Sequence, residues 1–255
     1  MLNRYVLTPY FLDSPLSGLE PLARPEWTIN KPILTANEKQ HRLIQLYHPL
    51  RKMVAKAIQQ QERPVSIAGD CCASLGVLAG LQLANLSPTL IWFDAHGDFN
   101  TWETTPSGFL GGMPLAMLVG QGDQTIVSGV GLTTLPESQV ILTDARDLDA
   151  AERLSLEESD VHHINPATDL LDLPLPQGSL YVHFDTDIIN PKEAAAMNYP
   201  AEGGPSVADL KRIFRRIALT GRLNALSVSS WNPELDKDGC TQKVVLELID
   251  DLLSQ

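Results

Sequence analysis

Along the chain, short apolar runs alternate with longer stretches of helical periodicity. Residues 4–8 (RYVLT) predict a first strand. Between residues 36 and 61, Leu43, Ile44, Tyr47, Leu50, Val54 and Ile58 recur at roughly helical spacing. Pro49 is expected to kink or split that helix. PVSIA at 64–68 reads as a buried strand running into Gly69-Asp70, with a helix over 73–83 behind it. Further strands are predicted at 89–94, 139–143, 179–185 and 225–230. Helices are predicted at 112–119, 149–159, 207–219 and 241–253. Ser206 suits the N-cap of the 207–219 helix, with Asp209 in its first turn.

Strands separated by helices predict βαβ crossovers and a parallel sheet. Ligands bind such sheets beyond the carboxyl ends of the strands. Asp70, Asp94, Asp147 and Asp185 all fall at or just after those ends. No composition shift marks a boundary, so residues 1–255 are expected to form one α/β domain. The segments 165–176 and 191–205 are expected to be loops around the site.

Composition narrows the function classes. The 255 residues are 44% hydrophobic and 20% charged, which is ordinary for a soluble globular chain. No apolar run reaches the roughly 20 residues of a membrane span. The N-terminal MLNRYVLTPYFLDSP lacks the build of a signal peptide. A formal net charge of −12 argues against nucleic acid or an anionic membrane as partner, since both require a basic surface. Cys71 and Cys72 are adjacent and Cys240 stands apart. That is no disulfide framework, so a cytoplasmic location is expected.

The stretch IWFDAHGDFN (91–100) places Asp94, His96 and Asp98 in alternation after an apolar run. Extended backbone would send all three to one side. HFDTD repeats the pattern with His183, Asp185 and Asp187. One aspartate at a strand end reads as readily as a cap or turn residue. Two alternating clusters have no such structural explanation. Converging carboxylates repel unless a cation joins them. Oxygen donors with an imidazole suit Mn²⁺, and two ions sharing carboxylates can hold a hydroxide for attack.

WFDAHGDFNT, followed by SG and GGMPLA and then by HFDTDIINP and GG, resembles the ureohydrolases, the arginase and agmatinase family, over about residues 64–245. The resemblance implies a three-layer α/β/α fold with a mainly parallel sheet of about eight strands. It implies two Mn²⁺ ions per chain, a small-molecule substrate and a homo-oligomer, a trimer or hexamer. It also implies hydrolysis of a C–N bond in a linear amidine or guanidino compound by a metal-bound hydroxide. Carried over by position, Asp94 and Asp185 match the bridging carboxylates. Asp98 matches a ligand of the first ion, and His96 and Asp187 match ligands of the second. Asp187 would also stabilise the transferred proton. Asn100, Ser107, Asp147 and Asp149 match positions that hold substrate.

The sequence also departs from the family pattern. AGDCC stands where GGDHS is usual, so Cys71 occupies a histidine ligand position. A thiolate there favours zinc or iron over manganese. Gly111 and Phe109 replace the proton-shuttle histidine and a substrate-binding asparagine. Ser230 replaces the glutamate that grips a guanidinium, and Asn190 stands where aspartate is usual. Losing charge-assisted bonds of that kind costs a few kcal/mol. Free arginine is therefore not the expected substrate, and Phe109 suggests a less charged or more apolar one. His183 is a candidate base, ligand or proton carrier, with core packing as the competing explanation. Trp102 and Trp231 could stack on a substrate or simply pack, and His162-His163 reads as surface. The alternative function is a non-catalytic protein of this fold, retaining at most one metal and acting as a binding or scaffold subunit. Amide hydrolysis of the deacetylase type, found on a related fold, has no residue specifically in its favour.

Overall fold

A computed structural model describes residues 1–229 and 231–254. Ten strands and seven α-helices alternate along it. In chain order they are β1 (Leu2–Thr8), β2 (Tyr10–Phe11), β3 (Ser14–Pro15), β4 (Thr28–Ile29), α1 (Lys39–Gln59), β5 (Glu62–Ala68), α2 (Ala73–Leu83), β6 (Thr89–His96), α3 (Pro114–Leu118), α4 (Thr125–Gly129), β7 (Val140–Asp147), α5 (Ala150–Glu157), β8 (His162–Ile164), β9 (Leu180–Asp185), α6 (Val207–Ala218), β10 (Leu223–Ser229) and α7 (Cys240–Leu253). Eight strands form one sheet in the order β4-β1-β5-β10-β9-β6-β7-β8. Every pairing in it is parallel. β9 and β10 return late in the chain to fill the gap between β5 and β6.

Period-two alternation divides the core between the two faces of the sheet. On β6, Leu90 and Trp92 join a cluster with α1, α2, α3 and α4, while Ile91 and Phe93 join one with α6 and α7. β7 and β9 divide their side chains in the same way. The result is the expected three-layer α/β/α fold. Burial on both sides explains why these strands read as unbroken apolar runs. α6 buries Leu210, Ile213, Phe214 and Ile217, one stripe at helical spacing. The amide of Asp209 donates to Ser206 Oγ at 3.1 Å, the cap expected there.

Several expectations require correction. α1 runs unbroken through Pro49, because Leu43, Leu46, Tyr47, Leu50 and Val54 pack one continuous face on both sides of it. His162 and His163 are exposed, as their expected surface position requires, and belong to the edge strand β8. The segment 165–176 lies against α6 and supplies nothing to the cavity described below. The predicted strand 225–230 is observed to Ser229, and Ser230 lies outside the described residues.

Candidate functional site

A cavity of about 430 Å³ opens beyond the carboxyl ends of the central strands. Asp70 and Cys71 follow β5, His96 and Asp98 come from the end of β6, and Asp185 and Asp187 come from the end of β9. Of the four acids expected at strand ends, Asp70, Asp147 and Asp185 line this cavity, and Asp94 is buried. Asp98, however, does not arrive by alternation. Strand pairing stops at His96, and the chain turns at Gly97-Asp98, where Asp98 takes φ +50°. Its carbonyl accepts from Leu115 and Ala116 at the start of α3, at 2.9 and 3.1 Å.

Two sets of ligand atoms converge, each within 4.8 Å. One set is Asp94, His96 and Asp187. The other is Cys71, Asp94, His183 and Asp185. Asp94 belongs to both and Asp98 to neither. In the first set, His96 Nδ1 lies 3.1 Å from Asp187 Oδ2 and 3.5 Å from Asp94 Oδ1. Burial would discharge this ring, but the two carboxylates outweigh burial and push its pKa up to about 12. The backbone orients both acids: His96 N donates to Asp94 Oδ1 (2.7 Å), and Ala95 N donates to Asp187 Oδ1 (3.2 Å).

The second set is fully buried. The Cys71 thiol donates to Asp185 Oδ2 at 2.6 Å, and Ser229 Oγ lies 3.1 Å from Cys71 Sγ. Ser229 Oγ also donates to Asp185 Oδ2 at 3.3 Å and lies 3.2 Å from His183 Nε2. His183 Nδ1 faces Ser227 Oγ at 2.7 Å, and Tyr181 OH meets the same oxygen at 2.7 Å. The His183 ring stacks on Trp92 with centroids 3.7 Å apart, and Trp92 Nε1 donates to Asp94 Oδ2 at 3.0 Å. Burial pushes His183 down to about 3, so the ring is neutral. Burial, reinforced by neighbouring carboxylates, drives Asp98 and Asp185 well above the usual range.

Toward the mouth, Asn100, Ser107, Asp147 and Asp149 all line the cavity. Asp147 is 69% exposed, with its Oδ2 4.0 Å from His96 Nε2. Asn100 donates to Asp149 Oδ2 at 3.0 Å, so these two hold one another. Ser107 Oγ accepts from the Phe109 amide at 3.2 Å. Glu152, also in the lining, accepts from the amides of Phe99 (2.8 Å) and Asp149 (3.2 Å). Its spacing from Asp149 is the capping-box pattern, a signal available in the sequence. Ser227, Ser229 and Trp92 had no such signal. Trp231 packs in the core and Trp102 bonds Asp123 at the surface, so neither reaches the cavity.

Comparison with known proteins matches residues 29–254 to the arginase family. The chain belongs to the arginase family. It is 31% identical to arginase of Bacillus subtilis over 236 residues, covering 88% of this chain and 76% of that protein. It is 28% identical to an N(omega)-hydroxy-L-arginine amidinohydrolase of Streptomyces lavendulae, over 96% of this chain and 84% of that one. The crystal structure of the B. subtilis arginase superposes with a TM-score of 0.83 at 26% identity, covering 100% and 99% of the two chains. Entamoeba histolytica arginase, solved with L-ornithine, gives a TM-score of 0.85 at 23% identity over the whole of both chains, a likeness of fold.

As an arginase-family site, the donor set fits divalent cations. Asp94, His96 and Asp187 offer oxygen and nitrogen suited to a hard ion. Asp98 Oδ2 is buried and accepts no hydrogen bond from the described residues. A cation bound among these residues would relieve the crowding of the acids and offer that oxygen a partner. The departure at Gly111 also has a geometric basis. A Cβ there would press on the far edge of the Phe109 ring, so the Phe109 ring sits where a side chain at 111 would go.

Proposed function

We propose that this chain is a divalent-metal-dependent hydrolase acting on a C–N bond of a linear amidine or guanidino compound other than free arginine. One observation carries the reading: buried Asp94 is shared by two clusters of ligand atoms, whose members Cys71, His96, Asp185 and Asp187 line the cavity. In this reading Asp94, His96 and Asp187 would hold one Mn²⁺, and Cys71, Asp94 and Asp185, with Asp98 nearby, would hold a second. The thiol leaves zinc or iron as competitors at the second position. Ions bound there supply Lewis acidity that activates water. Asp187 takes and returns the proton at the cavity floor, beside His96 at 3.1 Å. His183, neutral and held by Ser227 and Ser229, orients the second set. Asn100, Ser107, Asp147 and Asp149 position the substrate from the mouth.

The names of the relatives support amidine or guanidine chemistry. The same reading takes residues 1–255 as one domain, in a cytoplasmic homo-oligomer, a trimer or hexamer. Among the described residues no helix is long and apolar enough to cross a membrane. The competing reading, a non-catalytic binding subunit, draws support from the Cys71–Asp185 hydrogen bond and from the Phe109 ring over Gly111. Elemental analysis together with a panel of guanidino and amidino compounds decides between them. The hydrolase reading expects about two metal equivalents per chain, and turnover that falls on the order of 100-fold in Asp187→Asn. A folded protein that takes up no metal and turns over nothing on the panel overturns it.

A further inference from the structure

Besides its carboxylates, the cavity carries three aromatic rings. Phe11, Phe109 and Tyr199 line it and touch one another. Phe11 and Phe109 lie 6.2 Å apart at 15°, Phe109 and Tyr199 5.2 Å apart, and Phe11 and Tyr199 6.5 Å apart. Three remote segments deliver these rings, and each segment is tied down. After Phe11, the amide of Leu12 donates to buried Asp70 Oδ2 at 2.6 Å. Phe109 is fixed through its amide to Ser107, and its ring fills the space over Gly111. Before Tyr199, Asn198 Oδ1 accepts from Asn232 at 2.8 Å, and Met197 bridges to Trp231. The backbone that carries the rings is thus held in place before a ligand arrives, which reduces the ordering cost of binding.

Seven carboxyl-bearing side chains line the same cavity, and no lysine or arginine does. A substrate carboxylate there would face Asp147, Asp149 and Glu152 with no lysine or arginine to receive it. Aromatic faces instead accept apolar groups and flat cations.

We propose that Phe11, Phe109 and Tyr199 form a specificity subsite. It selects a monocationic amidine or guanidine whose nitrogen bears an apolar aryl or alkyl body and no carboxylate. The proposal rests on the hydrolase reading for the role of the floor. The subsite itself is testable by binding alone. Isothermal titration of manganese-incubated protein with phenylguanidine, methylguanidine and arginine provides the measurement. Phenylguanidine is expected to bind about 10-fold or more tighter than either of the others. Phe109→Ala and, separately, Tyr199→Ala are expected to remove most of that preference, weakening phenylguanidine several-fold more than methylguanidine. Circular dichroism verifies that each variant is folded. Equal affinities for phenyl- and methylguanidine, tighter binding of arginine, or an aryl preference that survives both substitutions would overturn the subsite. Selective aryl binding without turnover of any panel compound leaves the subsite standing and removes the hydrolase. Turnover without aryl preference does the reverse.

Discussion

His183 ties the site to the core: one face of its ring stacks on Trp92, and its two nitrogens meet Ser227 and Ser229. Replacing it with alanine removes a packed ring and strips both hydroxyls of a partner. His183→Ala is therefore expected to lose about 2–4 kcal/mol of stability, read from urea unfolding midpoints. Glu152 carries a pH signature. Burial raises its pKa from 4.5 to about 7, so the folded state binds this proton more tightly than the unfolded chain. Its contribution to stability therefore declines as pH rises from 4.5 to about 7, and is level above that. Glu152→Gln should gain on the wild type by about 2 kcal/mol between pH 5 and pH 8, measured by denaturant titration at both. A difference that does not change with pH would show that the carboxyl ionises freely. At this scale the sequence exposed Asp94, His96, Asp185 and Asp187, because ligand-type residues in alternation are conspicuous. It mistook the route of Asp98, since a left-handed turn leaves no periodic trace. Phe11, Tyr199 and Ser229 stayed hidden because ordinary residue types from distant segments meet only in the folded chain.

Among the elements, the long two-sided strands and the amphipathic helices were legible from period alone, while the edges were not. β4 has two residues and β8 has three with two exposed histidines, too short and too polar to show alternation. Pro49 is the instructive case. A proline inside a helix removes one backbone hydrogen bond and crowds the preceding turn, a local argument for a break. The packing of Leu43, Leu46, Tyr47, Leu50 and Val54 outweighs it, and α1 continues. The local cost does not vanish with the break. Pro49→Ala should consequently raise stability by about 1–2 kcal/mol and increase helical circular dichroism slightly. A destabilised variant would mean that the ring itself fills space that alanine leaves empty.

Across the whole molecule, parallel strands bring acids that are far apart in sequence to one end of a single sheet, against an overall charge of −12. The fold concentrates like charge where it costs stability, and a bound cation would recover that cost. An ion that binds the folded chain and not the unfolded one stabilises by about 2.7 kcal/mol at 100 times its Kd. For a chain of this size each kcal/mol moves Tm by about 2–4 °C. Chelator-stripped protein should therefore melt about 5–10 °C higher once manganese is restored, with calcium and magnesium as comparison ions. Asp94 belongs to both ligand sets, so Asp94→Asn should abolish nearly the whole rise. Asp147→Asn, at an exposed position outside both sets, should leave the rise intact. If manganese shifts neither the wild type nor Asp147→Asn, the strand-end acids are reconciled by shared protons instead, and the metal assignment fails with them.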